Sequence, residues 1–330
     1  MAELIRDHIS LDGIEQYCAK TNVCKEDYVI VEPCDFPGKI FAVDGSNVAV
    51  CDWSVANLNL IRAGYAVYRG RDWQRTVITY DDIFLADPKI CEKEFDPYLE
   101  QIFGLKGIDL EDSDLDRLST YFRELQEYIA LNEAIMDACP DDIILYDGSF
   151  DVFMPLREVL WTIFARAKQK GVAVLAISKS SSLLWGDEIS LPFVQHTNYA
   201  GSLLLPGVPW YLCLKDKNVD HGQGRWNGET YIVRFSGRSE RAFRVDAPAF
   251  LANDIGSILS KLAAYSCSAE CLGYPHALFR AHRDIRITPK EGGALRQKLM
   301  VQLYEMGMSQ MEARMLMQDY HDVLEMKQGI

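Results

Sequence analysis

Two short segments of this chain share one tripeptide, Asp44-Gly45-Ser46 and Asp147-Gly148-Ser149. Each closes an apolar run, Ile40-Phe41-Ala42-Val43 in one case and Ile143-Ile144-Leu145-Tyr146 in the other. A lone Asp-Gly is a favoured turn pair and needs no further role. Two aspartates at the ends of two apolar strands carry more information. Adjacent strands of one sheet put both carboxylates at one edge, a few ångströms apart. Such a pair repels itself unless a divalent cation sits between the two groups. Hard oxygen ligands suit Mg²⁺ or Mn²⁺. Two such ions can activate a water and stabilise the leaving oxygen of a phosphodiester.

The elements that must position these aspartates are visible as patterns. Ile40–Val43 reads as a strand, Asp44–Asn47 as a turn and Val48–Val50 as the returning strand of a hairpin. Tyr65–Tyr68 and Thr76–Tyr80 are further strand candidates. Arg117–Ala138 carries Tyr121, Leu125, Tyr128, Ile129, Asn132 and Ile135 at helical spacing, with Pro140 as its stop. Ile143–Tyr146 is a buried-type strand, Pro155–Gln169 a helix ended by Gly171, and Val172–Ile177 a second buried strand. That order implies a parallel pair with a helical crossover. Past Pro206, strands are expected at Trp210–Leu214, Thr230–Phe235 and Ala242–Val245, then helices at Ile255–Tyr265 and Ala277–Ile285. Residues 1–38 read as a leading helix and a connector. The tail from Leu295 reads as two helices broken at Gly307, with Ser309 and Glu312 as a capping box.

Composition narrows the class. The chain has 330 residues, 48% hydrophobic and 25% charged, as ordinary folded proteins do. Lys and Arg number 34 against 48 Asp and Glu, so the net charge is 34 − 48 = −14. That excludes a generally basic coat for nucleic acid but not a local basic cleft. Residues 81–127 hold fourteen acidic and five basic side chains, so −9 of the charge lies there and the remainder is nearly neutral. The nine cysteines are scattered without a C-x-x-C pair, which argues against a zinc ribbon or a disulfide framework and for a reducing compartment. No run of about 18 apolar residues is present, so no membrane span is expected, and the charged start lacks a signal-peptide core.

Taken in order, Phe41–Ser46, a glutamate-bearing helix, Leu145–Ser149, Ile177-Ser178-Lys179-Ser180, Gly273-Tyr274-Pro275 and Ala281-His282 resemble the motifs of the NurA nucleases. The resemblance covers about residues 36–290. It implies an RNase H-like mixed sheet flanked by helices, with a helical lead-in over 1–35 and a helical tail over 291–330. It also implies a cytoplasmic, homodimeric nuclease with a two-ion site preferring Mn²⁺ or using Mg²⁺. The activity it implies is 5′–3′ exonuclease on single- and double-stranded DNA, with endonuclease action on single strands. The implied partner is a hexameric HerA-type DNA translocase, in end resection for recombinational repair.

Residue by residue, Asp44 and Asp147 match the two metal-binding aspartates. The acidic ligand between them lies on the helix before the second strand. Glu127 is the first choice there, with Glu124 and Glu133 as competitors. Lys179 matches a position that can neutralise the scissile phosphate. Tyr274 and His282 match the late motif, and His282 can ligate the second ion as a neutral imidazole. His276 stands where the family more often has an apolar or aromatic residue, which leaves the ligand histidine open.

Two segments interleave arginine with aromatics, the single-strand binding recipe of phosphate pairing and base stacking. The first includes Arg62, Tyr65, Tyr68, Arg69, Arg71, Trp73 and Arg75. The second includes Arg225, Trp226, Arg234, Arg238, Arg241 and Arg244. Arg280 and Arg283 share the helix of His282. From these, Arg69, Arg71, Trp73, Arg234, Arg238, Arg280 and Arg283 are expected to contact DNA. Seven of the ten methionines lie in the tail, from Met300 to Met326, and suit an adaptable docking surface.

Three rival readings are testable on the motifs. An actin-like ATPase needs Asp-x-Gly phosphate loops and a haloacid dehalogenase needs Asp-x-Asp; neither pattern stands at Asp44 or Asp147. A non-catalytic DNA-binding scaffold of the same fold has no use for the whole set of Asp44, Asp147, Lys179, Tyr274 and His282.

Overall fold

The computed structural model describes residues 11–52, 56–87, 89–108, 110, 117–151, 154–186, 191–220, 226 and 228–317. Arg225 and Met326 lie outside them.

Three long antiparallel strands begin the sheet: β2 (Lys39–Asp52), β3 (Asn57–Arg69) and β4 (Asp72–Ala86). The expected hairpin turn at Asp44–Asn47 does not form. β2 runs straight through it, because Asp44 pairs with Gly64, Gly45 with Ala63 and Ser46 with Arg62. Cross-strand pairing with β3 overrides the local turn preference of Asp-Gly. The strand candidates Tyr65–Tyr68 and Thr76–Tyr80 lie inside β3 and β4.

Helix α3 (Leu118–Asp137) leads into β5 (Ile143–Asp147), which is parallel to β2. Helix α4 (Arg157–Lys170) ends at Gly171, whose φ of 72° is the left-handed cap that glycine adopts without strain. It crosses over to β6 (Ala173–Ser178), parallel to β5. Both of these short strands are buried, as expected of parallel strands covered on two faces.

Beyond β6 the sheet continues antiparallel through β11 (Phe243–Ala247), β10 (Glu229–Arg234) and β9 (Trp210–Cys213). A short strand β1 (Tyr28–Ile30) closes that side against β9. The lead-in thus holds a strand as well as helix α1 (Leu11–Thr21). The described sheet has nine strands in the order β1-β9-β10-β11-β6-β5-β2-β3-β4. Two strands, β7 (Leu184–Trp185) and β8 (Leu191–Pro192), form a small separate ribbon before helix α5 (Phe193–Leu204). The short helix α2 (Cys91–Tyr98) lies between β4 and α3.

Strand alternation sorts the core into two layers. Phe41, Val43, Ile144 and Tyr146 pack with α3 and α4 on one face. Ile40, Ala42, Ile143 and Leu145 pack on the other with α6 (Ile255–Ala264) and α7 (His276–Ile285). This is the expected RNase H-like mixed α/β arrangement, with helices on both faces. The tail forms α8 (Pro289–Glu305) and α9 (Gln310–Met317). α8 starts earlier than expected, at a Thr288–Glu291 capping box with Pro289 in the first turn, and the expected Ser309–Glu312 box opens α9. Leu295 and Leu299 of α8 lie against Val50 and Cys51 of β2.

Candidate active site

The site forms where β5 ends at Asp147 beside the middle of β2, which runs on past Asp44 to Asp52. The alternation that buries Ile40 and Ala42 toward α7 also sends Asp44 that way, and the same count along β5 sends Asp147 to the same face. α7 supplies His282 from above. One ligand atom each from Asp44, Asp147 and His282 can be chosen so that all lie within 4.8 Å of one another. Among the described residues this is the group of acidic, histidine or cysteine side chains spaced to share a metal ion.

Each member is held. Asp44 Oδ1 accepts from the Gly45 amide at 2.8 Å, and Asp44 Oδ2 accepts from His282 Nδ1 at 2.9 Å. Asp147 Oδ2 accepts from Lys179 Nζ at 2.6 Å. Burial and the neighbouring Asp44 charge push the Asp147 carboxyl above the usual range, against the pull of Lys179. Lys179 Nζ also lies 5.5 Å over the Tyr274 ring. The buried Tyr274 hydroxyl sits close enough to Asp147 for each to perturb the other's titration, but it makes no well-directed hydrogen bond.

Glu127 occupies a different position from the three. It rises from α3, on the opposite face of the sheet from α7. Gly45 points to that face, and its missing side chain leaves the space that the Glu127 carboxylate fills; a Cβ there would collide with Glu127 Oε1. Arg123 pairs with Glu127 Oε1 and Tyr146 Oη donates to Oε2 at 2.7 Å. Full burial pushes the Glu127 carboxyl up to about 7; Arg123 opposes this and Asp44 adds to it. Its competitors are placed differently: Glu124 accepts from Tyr128 Oη, and Glu133 is exposed. Tyr146 and Arg123 were not singled out in the sequence. The signal available was that Tyr146 adjoins Asp147 on the opposite side of the strand, and that Arg123 stands one helical turn before Glu127.

The donor set fits a hard divalent cation. Two carboxylates with little exposed side-chain surface supply charge and oxygen, and the imidazole adds one nitrogen donor. His276 is not part of it. Its Nδ1 donates to the Tyr265 carbonyl at 2.6 Å, and its ring meets Tyr68 edge-on.

The expected DNA-contact residues divide. Arg71, Arg280 and Arg283 line one cavity of about 360 Å³ beside α7, although they come from distant parts of the chain. Arg280 lies 4.4 Å over the Trp73 ring, and Arg69, Arg71 and Trp73 are exposed. Arg238 is exposed on the loop between β10 and β11. Arg234 is a correction. It is buried, and its guanidinium donates to Ser239 O, Gly237 O and Ser202 Oγ, holding that same loop from inside. Arg244 is likewise buried, paired with Asp151 and Asp246, and Trp226 packs against Phe150 and Phe164. The second arginine-aromatic segment is therefore split: Arg234 and Arg244 belong to the core, while Arg238 and Arg241 are exposed.

The chain shares its fold with two solved NurA structures. The NurA nuclease from Sulfolobus solfataricus superposes with a TM-score of 0.53 at 14% identity, covering 92% of this chain and 96% of that one. A second NurA structure gives 0.53 at 10% identity, with 95% of each chain covered. No family model matches the sequence, and no curated protein matches it. The structural neighbours thus bear out the resemblance at the level of fold.

Proposed function

We propose that this protein is a divalent-metal-dependent DNA nuclease. The observation that carries the reading is the convergence of Asp44, Asp147 and His282, from β2, β5 and α7, at one edge of an RNase H-like sheet. Asp44, Asp147 and His282 would hold the metal, with Glu127 behind Asp44. When bound, Mn²⁺ or Mg²⁺, as one ion or a pair, lowers the pKa of a water and stabilises charge on the leaving oxygen.

The chain's own residues set the geometry around that chemistry. Lys179 faces the site and can exchange its Asp147 partner for a phosphate oxygen. Tyr274 forms a rigid wall under Lys179 and positions the strand. Glu127 remains fixed by Arg123 and Tyr146, and keeps the Asp44–Gly45 segment in place from the opposite face. Arg71, Arg280 and Arg283 offer phosphate contacts beside α7, with Arg69, Trp73 and Arg238 further out.

The finer reading follows the family likeness: 5′–3′ exonuclease action on single- and double-stranded DNA, endonuclease action on single strands, and Mn²⁺ preferred. In that reading a cytoplasmic homodimer resects DNA ends for recombinational repair, alongside a hexameric HerA-type translocase. The three-part division of the chain at residues 35 and 290 belongs to the same reading.

The test is cleavage of end-labelled single- and double-stranded DNA with Mn²⁺, Mg²⁺ or EDTA, comparing the protein with Asp44→Ala and Asp147→Ala variants. Mn²⁺-dependent cutting that disappears in both variants, while they remain folded, supports the assignment. An Asp44→Ala protein that cuts at the normal rate overturns the site. DNA binding without cutting under any metal, with or without a translocase, overturns the nuclease.

A further inference from the structure

The segment that follows Asp147 is held from a strand that does not neighbour it. β6 lies between β5 and β11, yet two side chains of β11 reach the chain beyond β5. The register explains how. Asp147 pairs with Ile177 of β6, while Arg244 pairs with Ser178 and Asp246 with Ala176. Phe243, Val245 and Ala247 pack on the α6 and α7 face, so alternation turns Arg244 and Asp246 toward the opposite face. Past Asp147 the chain turns to that same face. There Phe150 joins the core under α3 and α4 and stacks on the Tyr146 ring at 5.9 Å.

The ties are numerous for so short a segment. Asp246 Oδ2 accepts from the Phe150 amide at 3.0 Å. Asp246 Oδ1 accepts from Thr230 Oγ1 at 2.9 Å and from Arg244 Nε at 2.8 Å. Arg244 Nη1 donates to Asp151 Oδ2 at 2.5 Å. From β6, Ser178 Oγ donates to the Gly148 carbonyl at 2.7 Å. Gly148, Phe150 and Asp151 are therefore each tied to β6 or β11.

Stability alone is a weak reason for this network. The Arg244 and Asp246 side chains are 2% and 1% exposed, and desolvating two charges offsets much of their attraction. What a buried charged pair does supply is direction, since charge-assisted bonds are short and orient the groups they join. Here they orient the backbone just beyond a candidate metal ligand. The β5 ladder stops at Asp147, and the Lys179 that meets its carboxylate is 44% exposed, a loose anchor.

We propose that Arg244 and Asp246 are positioning residues for the metal site. By holding Phe150 and Asp151 on the α4 face, they set where β5 ends and how Asp147 presents its carboxylate on the α7 face. The proposal rests on the metal-site reading above and extends it to two residues that stand outside the site.

The test is Mn²⁺ binding by the full-length protein without DNA, read from the loss of the free Mn²⁺ electron paramagnetic resonance signal. Only the binding that Asp44→Ala abolishes is counted. Asp246→Asn keeps the side-chain shape, but one oxygen becomes an NH₂ donor, so it cannot accept from Phe150 and from Arg244 and Thr230 together. Its Mn²⁺ affinity is expected to fall about tenfold, the low end for groups that orient metal ligands. The half-saturating Mn²⁺ concentration for cleavage should rise with it. Leu212→Ala truncates a separate core cluster in β9 and should lower the melting temperature without moving the Mn²⁺ affinity. Asp151→Ala releases Arg244 at a partly exposed position and should weaken Mn²⁺ binding in the same direction; it decides if Asp246→Asn does not fold. An unchanged affinity in the folded variant, or an equal loss in Leu212→Ala, overturns the positioning role and leaves the metal-site reading standing. A wild-type protein that binds no Mn²⁺ through Asp44 overturns both.

Discussion

His282 Nδ1 lies 2.9 Å from Asp44 Oδ2, although 238 residues separate them in the chain. A carboxylate only accepts, so Nδ1 carries the proton and the lone pair is on Nε2. A histidine turned this way is oriented by a neighbouring carboxylate while offering its other nitrogen. The contact also ties α7 to β2. That helix is anchored further by Asp284, which accepts from Thr76, and the chain just beyond it by the Ile287 amide, which donates to Ser46 Oγ at 3.0 Å.

The imidazole contributes the one nitrogen donor of the trio, so its loss should act on metal choice more than on fold. His282→Ala is expected to cut Mn²⁺-supported cleavage by roughly 10–100-fold, as ligand and outer-shell losses do. The Mg²⁺ reaction, which relies on the carboxylates, should fall less. The ratio of the two rates, compared between wild type and variant, checks this. An unchanged Mn²⁺ to Mg²⁺ ratio would remove His282 from the ligand set.

Gly45 lacks a side chain for a reason that can be tested directly. A Cβ there collides with the buried Glu127 carboxylate, which Arg123 and Tyr146 hold in place. Gly45→Ala should therefore cost roughly 1–3 kcal/mol, as overpacking does, and should disturb Asp44 next to it. Thermal denaturation is expected to show the loss. The variant Gly45→Ala with Glu127→Gly relieves the collision and should recover part of the packing cost, though not the ion pair.

Much of the fold was legible in the sequence because local and global signals agreed. The runs Ile143–Tyr146 and Val172–Ile177, with a Gly171-terminated helix between them, admit little besides a parallel crossover. Asp44-Gly45-Ser46 misled because turn preference is local, whereas pairing of Ser46 with Arg62 is not visible in sequence. Of the site, the two aspartates followed from strand ends alone, while His282 needed the family likeness, since nothing local links α7 to β2. Glu127 shows the limit most clearly. In the sequence it stands beside Glu124 and Glu133 as one of three choices on the helix, and only the sheet shows that it reaches the edge through the gap at Gly45, from the face opposite Asp44. The arginine-aromatic segments were ambiguous for a similar reason: an arginine inside a strand pattern can point either way, and Arg234 points in.

His276 should make stability pH-dependent. Burial holds its pKa below the usual 6.5, opposed by the Tyr265 carbonyl and reinforced by Arg71. A depressed histidine pKa means that the unfolded chain binds the proton first. Stability is then full above about pH 6.5 and falls as pH drops below it, toward the folded value. His276→Phe keeps a ring against Tyr68 but cannot titrate. Between pH 7.5 and 5.5 the wild-type melting temperature should fall more than that of the variant. Parallel curves would show that His276 is protonated as easily folded as unfolded.

The arginines separate a DNA-contact role from a structural one. Arg71 and Arg283 line the cavity beside α7, and Arg283 meets Asp284 only at 3.8 Å. Each phosphate contact on single-stranded DNA contributes about 0.7 to the slope of log affinity against log salt. Arg71→Ala with Arg283→Ala should thus flatten that slope by roughly 1.4, if each meets one phosphate, with little change in melting temperature. Arg234→Ala should do the reverse. Its guanidinium donates to Ser239 O at 2.9 Å and 2.6 Å and to Gly237 O at 3.1 Å. Removing it leaves those buried carbonyls without a donor, a cost of about 1–3 kcal/mol. The loop that carries Arg238 would loosen, while the salt slope should stay near the wild-type value. Salt titrations of oligonucleotide binding, paired with thermal denaturation, distinguish the two sets. An Arg234→Ala protein of normal stability with a flattened slope would return that residue to the DNA surface.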